Sequence, residues 1–366
     1  MGSLTPQDLK RYQRHLVLPE VGEQGQQKLK AARVLIVGAG GLGSPSALYL
    51  AASGVGTLGL VDLDTVDVTN LQRQVLYSTA DIGHGKTQAA RERLIALNPD
   101  LRIVEHAVEL GPDNVMEIFR QYDIVLDGTD RIGTRYLVND ACVLLARPLV
   151  SAAIHRFEGQ AMTYVPGKGP CYRCLFPEPS TEIPNCATAG VLGVLPGVLG
   201  TLQATEAIKL IIGIGSPLVG RLLTYDALDL SFREFAFKRR PDCAVCGDAP
   251  TIRTPSDMDR PAGVVRSVSP RELQTLLRET VRPFTLVDVR DPHEFESGHL
   301  PGALNIPVND LERRFHEILS HGNVVFVCLS GKRSQAACAM ALRAGLREPG
   351  HLAGGMLAWQ EVKGDG

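Results

Sequence analysis

The sequence predicts an α/β protein with a Rossmann-like, mainly parallel sheet, followed by a smaller α/β domain. Three observations support this. The β-rich apolar run 34–37 leads directly into the glycine motif G-x-G-x-x-G at 38–43. Apolar strand-like runs then alternate with helical patterns, the order typical of βαβ crossovers. Finally, a stretch rich in Pro, Ser, Thr and Asp separates this pattern from a second, shorter one.

In the first half, short apolar runs predict buried strands and longer segments with helical spacing predict helices. The helix that begins at Lys86 ends before Asn98-Pro99, a stop signal. Strand 159–165 comes late enough that an antiparallel orientation is open. The predicted strands are 33–38, 57–62, 101–106, 123–127 and 159–165, and the predicted helices are 86–97, 135–145 and 198–212.

The second pattern predicts a separate C-terminal domain. It consists of a helix at 269–277, strands at 285–289 and 324–327, and a helix at 333–344. The segment before it has the composition of a linker. We therefore predict a first domain at 1–247, a linker at 248–263 and a second domain at 264–366.

Composition excludes several classes of function. The 38 basic and 40 acidic residues nearly balance, which gives no electrostatic case for binding nucleic acid or an anionic membrane. The N-terminus is polar and lacks the apolar core of a signal peptide. The apolar stretch 191–202 is short and contains Pro196, so we do not expect a membrane span. Eight cysteines without a secretory signal favour metal and thiol chemistry in a reducing cytoplasm.

The glycine motif and the charged residues after it predict a nucleotide site. Backbone N–H groups of such a loop and the following helix bind phosphate, and an Asp after the next strand, Asp62, can accept hydrogen bonds from ribose hydroxyls. Arg73 and Lys86 add cations that a nicotinamide site does not require and a reacting triphosphate does. The sequence thus favours ATP, consumed rather than merely bound, over a plain Rossmann oxidoreductase. The loop glycines are Gly38, Gly40, Gly41 and Gly43.

Cys328 ends a predicted strand and begins a loop that leads into a helix. Converging N–H groups, the helix dipole, and the cations Lys332 and Arg333 would stabilise a thiolate or persulfide there. A buried strand-end cysteine is the unreactive alternative. A thiol phosphatase is a second alternative, but its Cys and Arg are separated by five residues. Here four residues lie between Cys328 and Arg333, which favours sulfur transfer.

Two C-x-x-C pairs predict a structural zinc site, because this turn places two thiolates on one metal. Redox-active C-x-x-C is the alternative, although thioredoxin-like motifs do not occur as widely separated pairs. The pairs are Cys171/Cys174 and Cys243/Cys246. Cys142 and Cys338 lie in apolar helical segments and are expected to be core residues.

Taken in order, the motifs of the first 247 residues resemble the ubiquitin-activating superfamily in its MoeB/ThiF branch. They comprise Arg11–His15, the glycine loop, residues 62–74, Lys86, Thr129-Asp130 and residues 186–193. The resemblance implies an ATP-dependent adenylyltransferase in which Asp130 holds Mg²⁺ and the four paired cysteines hold Zn²⁺. It also implies that Arg14 acts across the interface of a homodimer. Cys186, in a predicted mobile loop, matches a cysteine that attacks the activated partner or resolves an intermediate.

The remaining nucleotide-binding residues follow from the same resemblance. Asp64 is expected at the surface or in a turn, where it could order the nucleotide loop, and Asn70 is expected to hold that loop. Arg135 and Asn139 have helical spacing and are expected to cap or pair. Arg131 stands where the family usually has Asn. The implied nucleotide contacts are Asp62, Asp64, Thr69, Asn70, Leu71, Gln72, Arg73, Lys86, Asp130 and Arg131.

The C-terminal domain resembles the rhodanese module. Asp288-Val289-Arg290, residues 298–303 and residues 354–359 support this besides the Cys328 loop. The fusion resembles MoeZ-type adenylyltransferase–sulfurtransferases. It implies a small ubiquitin-like sulfur carrier ending in Gly-Gly as partner, with a cysteine desulfurase or thiosulfate as sulfur donor. The alternatives are a stand-alone thiosulfate or persulfide sulfurtransferase with a regulatory nucleotide-binding domain, and a non-catalytic scaffold. The sequence identifies neither the carrier nor the pathway.

Overall fold

The computed structural model divides the chain into two compact units, one ending at Met258 and the other beginning at Asp259. It describes residues 3–178, 190–256, 265–277, 284–318, 323–344, 346 and 348–364. The fold class is as predicted: a Rossmann-like sheet in the first unit and a smaller α/β sheet in the second. The division lies within the stretch predicted to be a linker.

The first unit is built on an eight-stranded sheet in the order β3-β2-β1-β4-β5-β6-β7-β8. The first five strands in that order are parallel, and β6, β7 and β8 are added antiparallel, so the open orientation of strand 159–165 is resolved. The strands are β1 (Arg33–Val37), β2 (Thr57–Val61), β3 (Arg102–His106), β4 (Ile124–Asp127), β5 (Leu149–His155), β6 (Glu158–Tyr164), β7 (Arg221–Asp226) and β8 (Ser231–Ala236).

Helices cover both faces of this sheet. Alternate residues of β1 belong to different cores: Val34 and Ile36 pack on one face, Leu35 and Val37 on the other. This is the pattern expected of a parallel strand buried on both sides. The helices are α1 (Pro6–Arg11), α2 (Gln13–Leu16), α3 (Gly22–Ala31), α4 (Gly43–Ser53), α5 (Lys86–Leu97), α6 (Val115–Arg120), α7 (Ile132–Leu144), α8 (Tyr172–Leu175) and α9 (Leu195–Ile212).

Two helices start earlier than their sequence patterns predict. Helix α7 starts at Ile132 rather than at Arg135, and α9 starts at Leu195 rather than at Val198. In α9, Pro196 lies in the first turn, where its missing N–H costs no helical hydrogen bond. Helix α9 is long and apolar enough to meet the criteria for a membrane span, but half of it is buried and it packs on α4 and β5 as a core helix.

The second unit has a five-stranded parallel sheet in the order β11-β10-β12-β13-β9. Central strand β12 is completely buried and ends immediately before Cys328. The elements are β9 (Arg266–Val268), α10 (Pro270–Leu277), β10 (Thr285–Asp288), α11 (Pro292–Glu296), β11 (Leu304–Asn305), α12 (Leu311–Arg314), β12 (Val324–Val327), α13 (Lys332–Arg343), β13 (Gly350–Leu352) and α14 (Gly355–Gly364).

Candidate active sites and metal site

The glycine loop connects β1 to α4 so tightly that Gly38 and Gly43 are sterically required. Gly38 has φ +88°, a conformation that L-residues rarely adopt. A Cβ on Gly43 would lie 2.0 Å from the carbonyl oxygen of Gly38. On the outer side, a Cβ on Gly41 would approach Pro196 of α9 to 3.2 Å. Glycine at these positions keeps the space in front of α4 open, so an anion can approach the start of that helix.

Asp62 follows β2, and backbone donors hold it beside this loop. The N–H of Ala39 donates to Asp62 Oδ2 and the N–H of Asp64 to Oδ1, both at 2.9 Å. Burial raises the pKa of Asp62 above its ordinary value, although the Lys86 cation and these two N–H groups oppose the effect. The carboxylate is therefore fixed in position at the place predicted for a ribose contact.

Lys86 and Arg73, the two predicted cations, have different surroundings. The side chain of Lys86 is 6% exposed, with Nζ 2.8 Å from Asp64 Oδ2 and 3.9 Å from Asp62 Oδ1. Arg73 is half-buried and donates through Nη1 to the carbonyl of Thr69 at 3.1 Å. The Asp64 side chain is exposed, as expected, and its hydrogen bond also restrains Lys86.

A set of side-chain contacts that the sequence did not reveal holds the loop carrying Asp130. The carboxylate of Asp127, fully buried at the end of β4, accepts from the N–H and hydroxyl of Thr129 at 3.0 and 2.7 Å and from Ser151 Oγ at 2.9 Å. Arg135 lies 3.5 Å from the same carboxylate and donates to the Thr129 carbonyl at 2.7 Å. Asp130 follows this fixed residue and is itself exposed.

A cavity of about 1490 Å³ unites these groups. From the glycine loop it extends past Glu109 and Asp130 to Tyr225 and Phe235 on β7 and β8. Most of the predicted nucleotide contacts line it, namely Gly38, Gly40, Gly41, Asp62, Asp64, Thr69, Gln72, Arg73, Lys86, Asp130 and Arg131.

Gly43 and three further predicted residues are not among those that line the cavity in the described part of the chain. Asn70 accepts from the N–H of Asp67 and so closes a short helical turn, as expected of a loop-holding residue. Leu71 packs against the core. Arg14 is exposed on α2 and is not among the residues that line the cavity.

Two predicted residues remain, Arg131 and Cys186. Arg131, in place of the usual Asn, forms an ion pair with Glu109 at 3.1 Å, and both side chains are 44% exposed. Cys186 lies outside the described residues. The described residues on either side, Glu178 and Gly190, both line the cavity.

The four paired cysteines converge on one point. Their sulfur atoms all lie within 4.8 Å of one another. The Sγ–Sγ distances are 3.9 Å for Cys171–Cys174, 3.6 Å for Cys171–Cys243 and 3.4 Å for Cys174–Cys246. A tetrahedral Zn–S bond of about 2.3 Å corresponds to a sulfur–sulfur separation of ~3.8 Å. The arrangement therefore fits one tetrahedral metal, and not a single reactive dithiol.

In the second unit, donors surround the sulfur of Cys328 at the end of β12. The N–H of Gly331 donates to Sγ at 3.1 Å, and Sγ lies 3.5 Å from Ser334 Oγ. Burial raises the pKa of this thiol. The Ser334 hydroxyl and the N–H groups of Ser334, Ser330 and Gly331 outweigh that effect, so the pKa lies below its ordinary value. Ser334 was not a sequence-predicted residue.

Arg333 differs from the expectation. The sequence predicts that this cation stabilises the sulfur of Cys328. Instead its Nη1 and Nη2 donate to the two carboxylate oxygens of Glu294 at 2.6 and 2.8 Å. The Arg333 guanidinium holds the pKa of Glu294 well below its ordinary value, at about 2. Backbone groups and Ser334 therefore supply the direct contacts to Cys328, and Arg333 acts on it only through its charge.

The two remaining described cysteines are core residues, as predicted. Cys142 is fully buried in α7, and burial raises its pKa. Cys338 donates to the Gly350 carbonyl at 3.2 Å, and burial raises its pKa to about 12. Neither thiol has the environment of a nucleophile.

Comparison with known proteins agrees with this description. Residues 12–245 match the model of the ThiF family, and residues 269–362 match the rhodanese-like domain. The probable adenylyltransferase/sulfurtransferase MoeZ of Mycobacterium tuberculosis is 44% identical, over 98% of this chain and 94% of the relative. The adenylyltransferase and sulfurtransferase MOCS3 of Aedes aegypti is 41% identical, over 98% of this chain and 88% of the relative.

Other relatives correspond to the first unit. The sulfur carrier protein adenylyltransferase of Thermus thermophilus is 52% identical, over 71% of this chain and 98% of its own length. The crystal structure of Escherichia coli MccB with ATP superimposes with a TM-score of 0.56 at 28% identity, covering 65% of this chain and 73% of that one. The chain therefore belongs to the ThiF family and is an adenylyltransferase with a C-terminal rhodanese-like sulfurtransferase domain.

Proposed function

We propose that the chain adenylates the C-terminal glycine of a small ubiquitin-like sulfur carrier protein and converts that carboxylate into a thiocarboxylate. The observation that carries this proposal is the cavity, which is continuous from the glycine loop to the antiparallel strands β6–β8. It offers space for a nucleotide at one end and for an extended chain terminus at the other. The name of the Thermus relative agrees with such a substrate.

ATP binds in this proposal with its phosphates over the glycine loop. The loop N–H groups and the N-terminus of α4 attract the phosphate oxygens. Asp62 accepts from the ribose hydroxyls, because Ala39 and Asp64 fix its carboxylate beside the loop. Thr69 and Gln72 form the adjoining wall, and Asn70 closes the turn between them.

Charge on the triphosphate is balanced by cations that are already in place. Lys86 and Arg73 line the cavity, and on binding their donors turn from Asp64 and the Thr69 carbonyl toward phosphate oxygens. Asp130 would hold Mg²⁺, an ion that prefers oxygen ligands and would supply further positive charge at the phosphates. Arg131 lies next to it on the same wall. In a homodimer, Arg14 of one subunit completes the site of the other.

The carrier reaches the nucleotide through the open end of the cavity. Phe235 lines the cavity and is 53% exposed. At the tip of the β7–β8 hairpin, Leu228 and Leu230 are 70% and 73% exposed. These apolar side chains suit the body of a folded partner, whose extended Gly-Gly end then enters the cavity. The terminal carboxylate attacks the α-phosphate, and pyrophosphate leaves, giving an acyl-adenylate.

Sulfur enters at Cys328. The thiolate accepts sulfur from a cysteine desulfurase persulfide, releasing the donor thiolate, or from thiosulfate, releasing sulfite. Arg333 contributes positive charge beside the resulting persulfide. The persulfide attacks the acyl-adenylate and AMP leaves, which produces an acyl disulfide. Cys186 then attacks the Cys328 sulfur, which releases the carrier thiocarboxylate and leaves a Cys186–Cys328 disulfide for a cellular thiol to reduce.

The four clustered cysteines would hold Zn²⁺ as a closed structural site, because all four positions are protein thiolates. The metal would join the segment at Cys171 to the segment at Cys243 and so fix where the first unit ends. Free thiols and thiol reductants are typical of the cytoplasm, where we place the protein.

Carrier-dependent ATP–pyrophosphate exchange tests the adenylation half. Asp130→Ala should abolish exchange, since the cavity loses its proposed magnesium ligand, whereas Asp100→Ala in a remote exposed turn should not affect it. Exchange at the wild-type rate in Asp130→Ala would remove Asp130 from the mechanism. A wild-type chain that transfers sulfur but shows no exchange would support the stand-alone sulfurtransferase instead.

A further inference from the structure

The two residues enclosed by the first cysteine pair both attach to helix α7. The backbone N–H of Tyr172 donates to Asn139 Oδ1 at 2.8 Å. Arg173 donates through Nε and Nη2 to the two oxygens of Asp140, at 2.7 and 2.8 Å. Asn139 and Asp140 are fully buried. The cysteine knuckle (residues 171–174) is therefore attached to α7 by hydrogen bonds from both of its inner residues.

The Arg173–Asp140 ion pair is a rigid connection. The exposed fractions of the two side chains are 6% and 0%. The guanidinium also lies 4.6 Å from the centre of the Tyr136 ring, and Asn139 Nδ2 donates to Asp140 at 3.0 Å. Removing one partner of such a pair leaves a buried charge without its counterion, which is strongly destabilising.

The N-terminal turn of the same helix holds the loop that carries Asp130. Arg135 Nη2 donates to the Thr129 carbonyl at 2.7 Å, and Nε lies 3.5 Å from Asp127. The same guanidinium lies 5.9 Å from the centre of the Tyr172 ring in the knuckle. A continuous set of buried contacts thus runs from the knuckle through α7 to the residue before Asp130.

We propose that Arg173, Asp140 and Arg135 are positioning residues for adenylation: they fix the Asp130 loop against the cysteine knuckle. Their role exceeds fold stability because α7 joins the two places directly. The inference rests on the proposed role of Asp130. It assigns to the cysteine cluster an influence on ATP chemistry that it exerts without touching the nucleotide.

Arg173→Lys in the full-length protein tests this. Lysine keeps a cation opposite Asp140 and loses the two-pronged hydrogen bond. Tyr122→Phe is the matched control, because it removes one partly buried hydrogen bond, to His106 Nε2 at 2.7 Å, that has no connection to the Asp130 loop. Both variants are compared for zinc content, thermal unfolding and amide hydrogen exchange of residues 128–131. Mg-ATP affinity and ATP affinity in magnesium-free buffer are measured as well.

In Arg173→Lys we expect full zinc content, faster amide exchange at residues 128–131 and weaker binding of Mg-ATP, with unchanged binding of magnesium-free ATP. The kcat of carrier-dependent ATP–pyrophosphate exchange should fall by roughly 10- to 100-fold, as expected when a reacting group is displaced. Amide exchange and Mg-ATP affinity equal to those of Tyr122→Phe would overturn the inference.

Arg135→Lys provides a second test if Arg173→Lys fails to fold. It acts at the other end of α7 and loses the bond to the Thr129 carbonyl. Because Arg135 also lines the cavity, the positioning role requires weaker Mg-ATP binding together with unchanged binding of magnesium-free ATP and full zinc content. Unchanged Mg-ATP affinity in this variant would also overturn the inference. If the wild-type protein shows no carrier-dependent exchange, the proposed substrate is wrong, whereas amide exchange and Mg-ATP binding still decide the positioning role.

Discussion

Ser334 should control the reactivity of Cys328 more directly than Arg333 does. Its hydroxyl lies 3.5 Å from Cys328 Sγ and donates to the Gly331 carbonyl at 2.9 Å. When the thiol ionises, the hydroxyl can turn and donate to the thiolate. A hydrogen bond to a charged group contributes about 1.5–3 kcal/mol, and the long distance and the lost bond to Gly331 place this one at the lower end. Since about 1.4 kcal/mol is a factor of ten, Ser334→Ala should lower the thiolate fraction roughly tenfold below the pKa.

The assay is the pH dependence of iodoacetamide alkylation at Cys328, followed by peptide mass spectrometry. Because only the thiolate reacts, losing a donor raises the pKa and moves the profile to higher pH. Ser330→Ala is the control: it is exposed in the same loop and keeps the backbone N–H that stabilises the thiolate. A wild-type profile for Ser334→Ala, or an equal shift for Ser330→Ala, would refute this account of the thiolate.

Three further predictions concern the ion pair and the metal. Glu294→Gln should speed persulfide loading from thiosulfate severalfold, because Arg333 then presents its full charge to the anion; Glu296→Gln, which changes the same charge on the same helix, should not. The Glu294 pKa of about 2 lies below the ordinary 4.5, so the stabilisation of the fold by this ionised carboxylate is present above pH 4.5 and is lost as the pH falls toward 2. The free energies of unfolding of wild type and Glu294→Gln, measured in urea, should therefore differ by at most about 1 kcal/mol at neutral pH and become equal in acid. Elemental analysis should find one zinc per chain. Cys246→Ser should lose both the zinc and much of the thermal stability, because structural zinc contributes on the order of 10 kcal/mol to the free energy of folding. The control Cys142→Ala should retain the zinc, and a folded, metal-free wild-type protein would contradict the site.

The sequence predicted those features that depend on local pattern. The strands around the glycine loop are short apolar runs bounded by glycine and charge, and they form where expected, with ends differing by a residue or so. Several elements were not predicted, among them the N-terminal helices α1–α3 and strands β7–β8. These segments are polar or largely exposed, so they lack the periodic apolar pattern that identifies a buried element.

The site divides along the same line. Most of the predicted nucleotide residues meet in one cavity, because residues that follow parallel strands converge at one edge of the sheet. The partners that hold them were missed, since they come from distant positions. Asp127 resembles any strand end until Thr129 and Arg135 fold back on it. Glu294, which occupies the Arg333 guanidinium, is 39 residues away in sequence, so loop spacing could not reveal it.

The most direct test of the whole account is the intact mass of a Gly-Gly-ending carrier after incubation with the enzyme, ATP and a sulfur donor. Wild-type enzyme should exchange one carrier oxygen for sulfur, and Ser330→Ala should do the same. Cys328→Ala should still support carrier-dependent ATP–pyrophosphate exchange but form no thiocarboxylate. A thiocarboxylate made at the normal rate by Cys328→Ala would show that the C-terminal domain is not the sulfur source, and the combined reaction would be wrong.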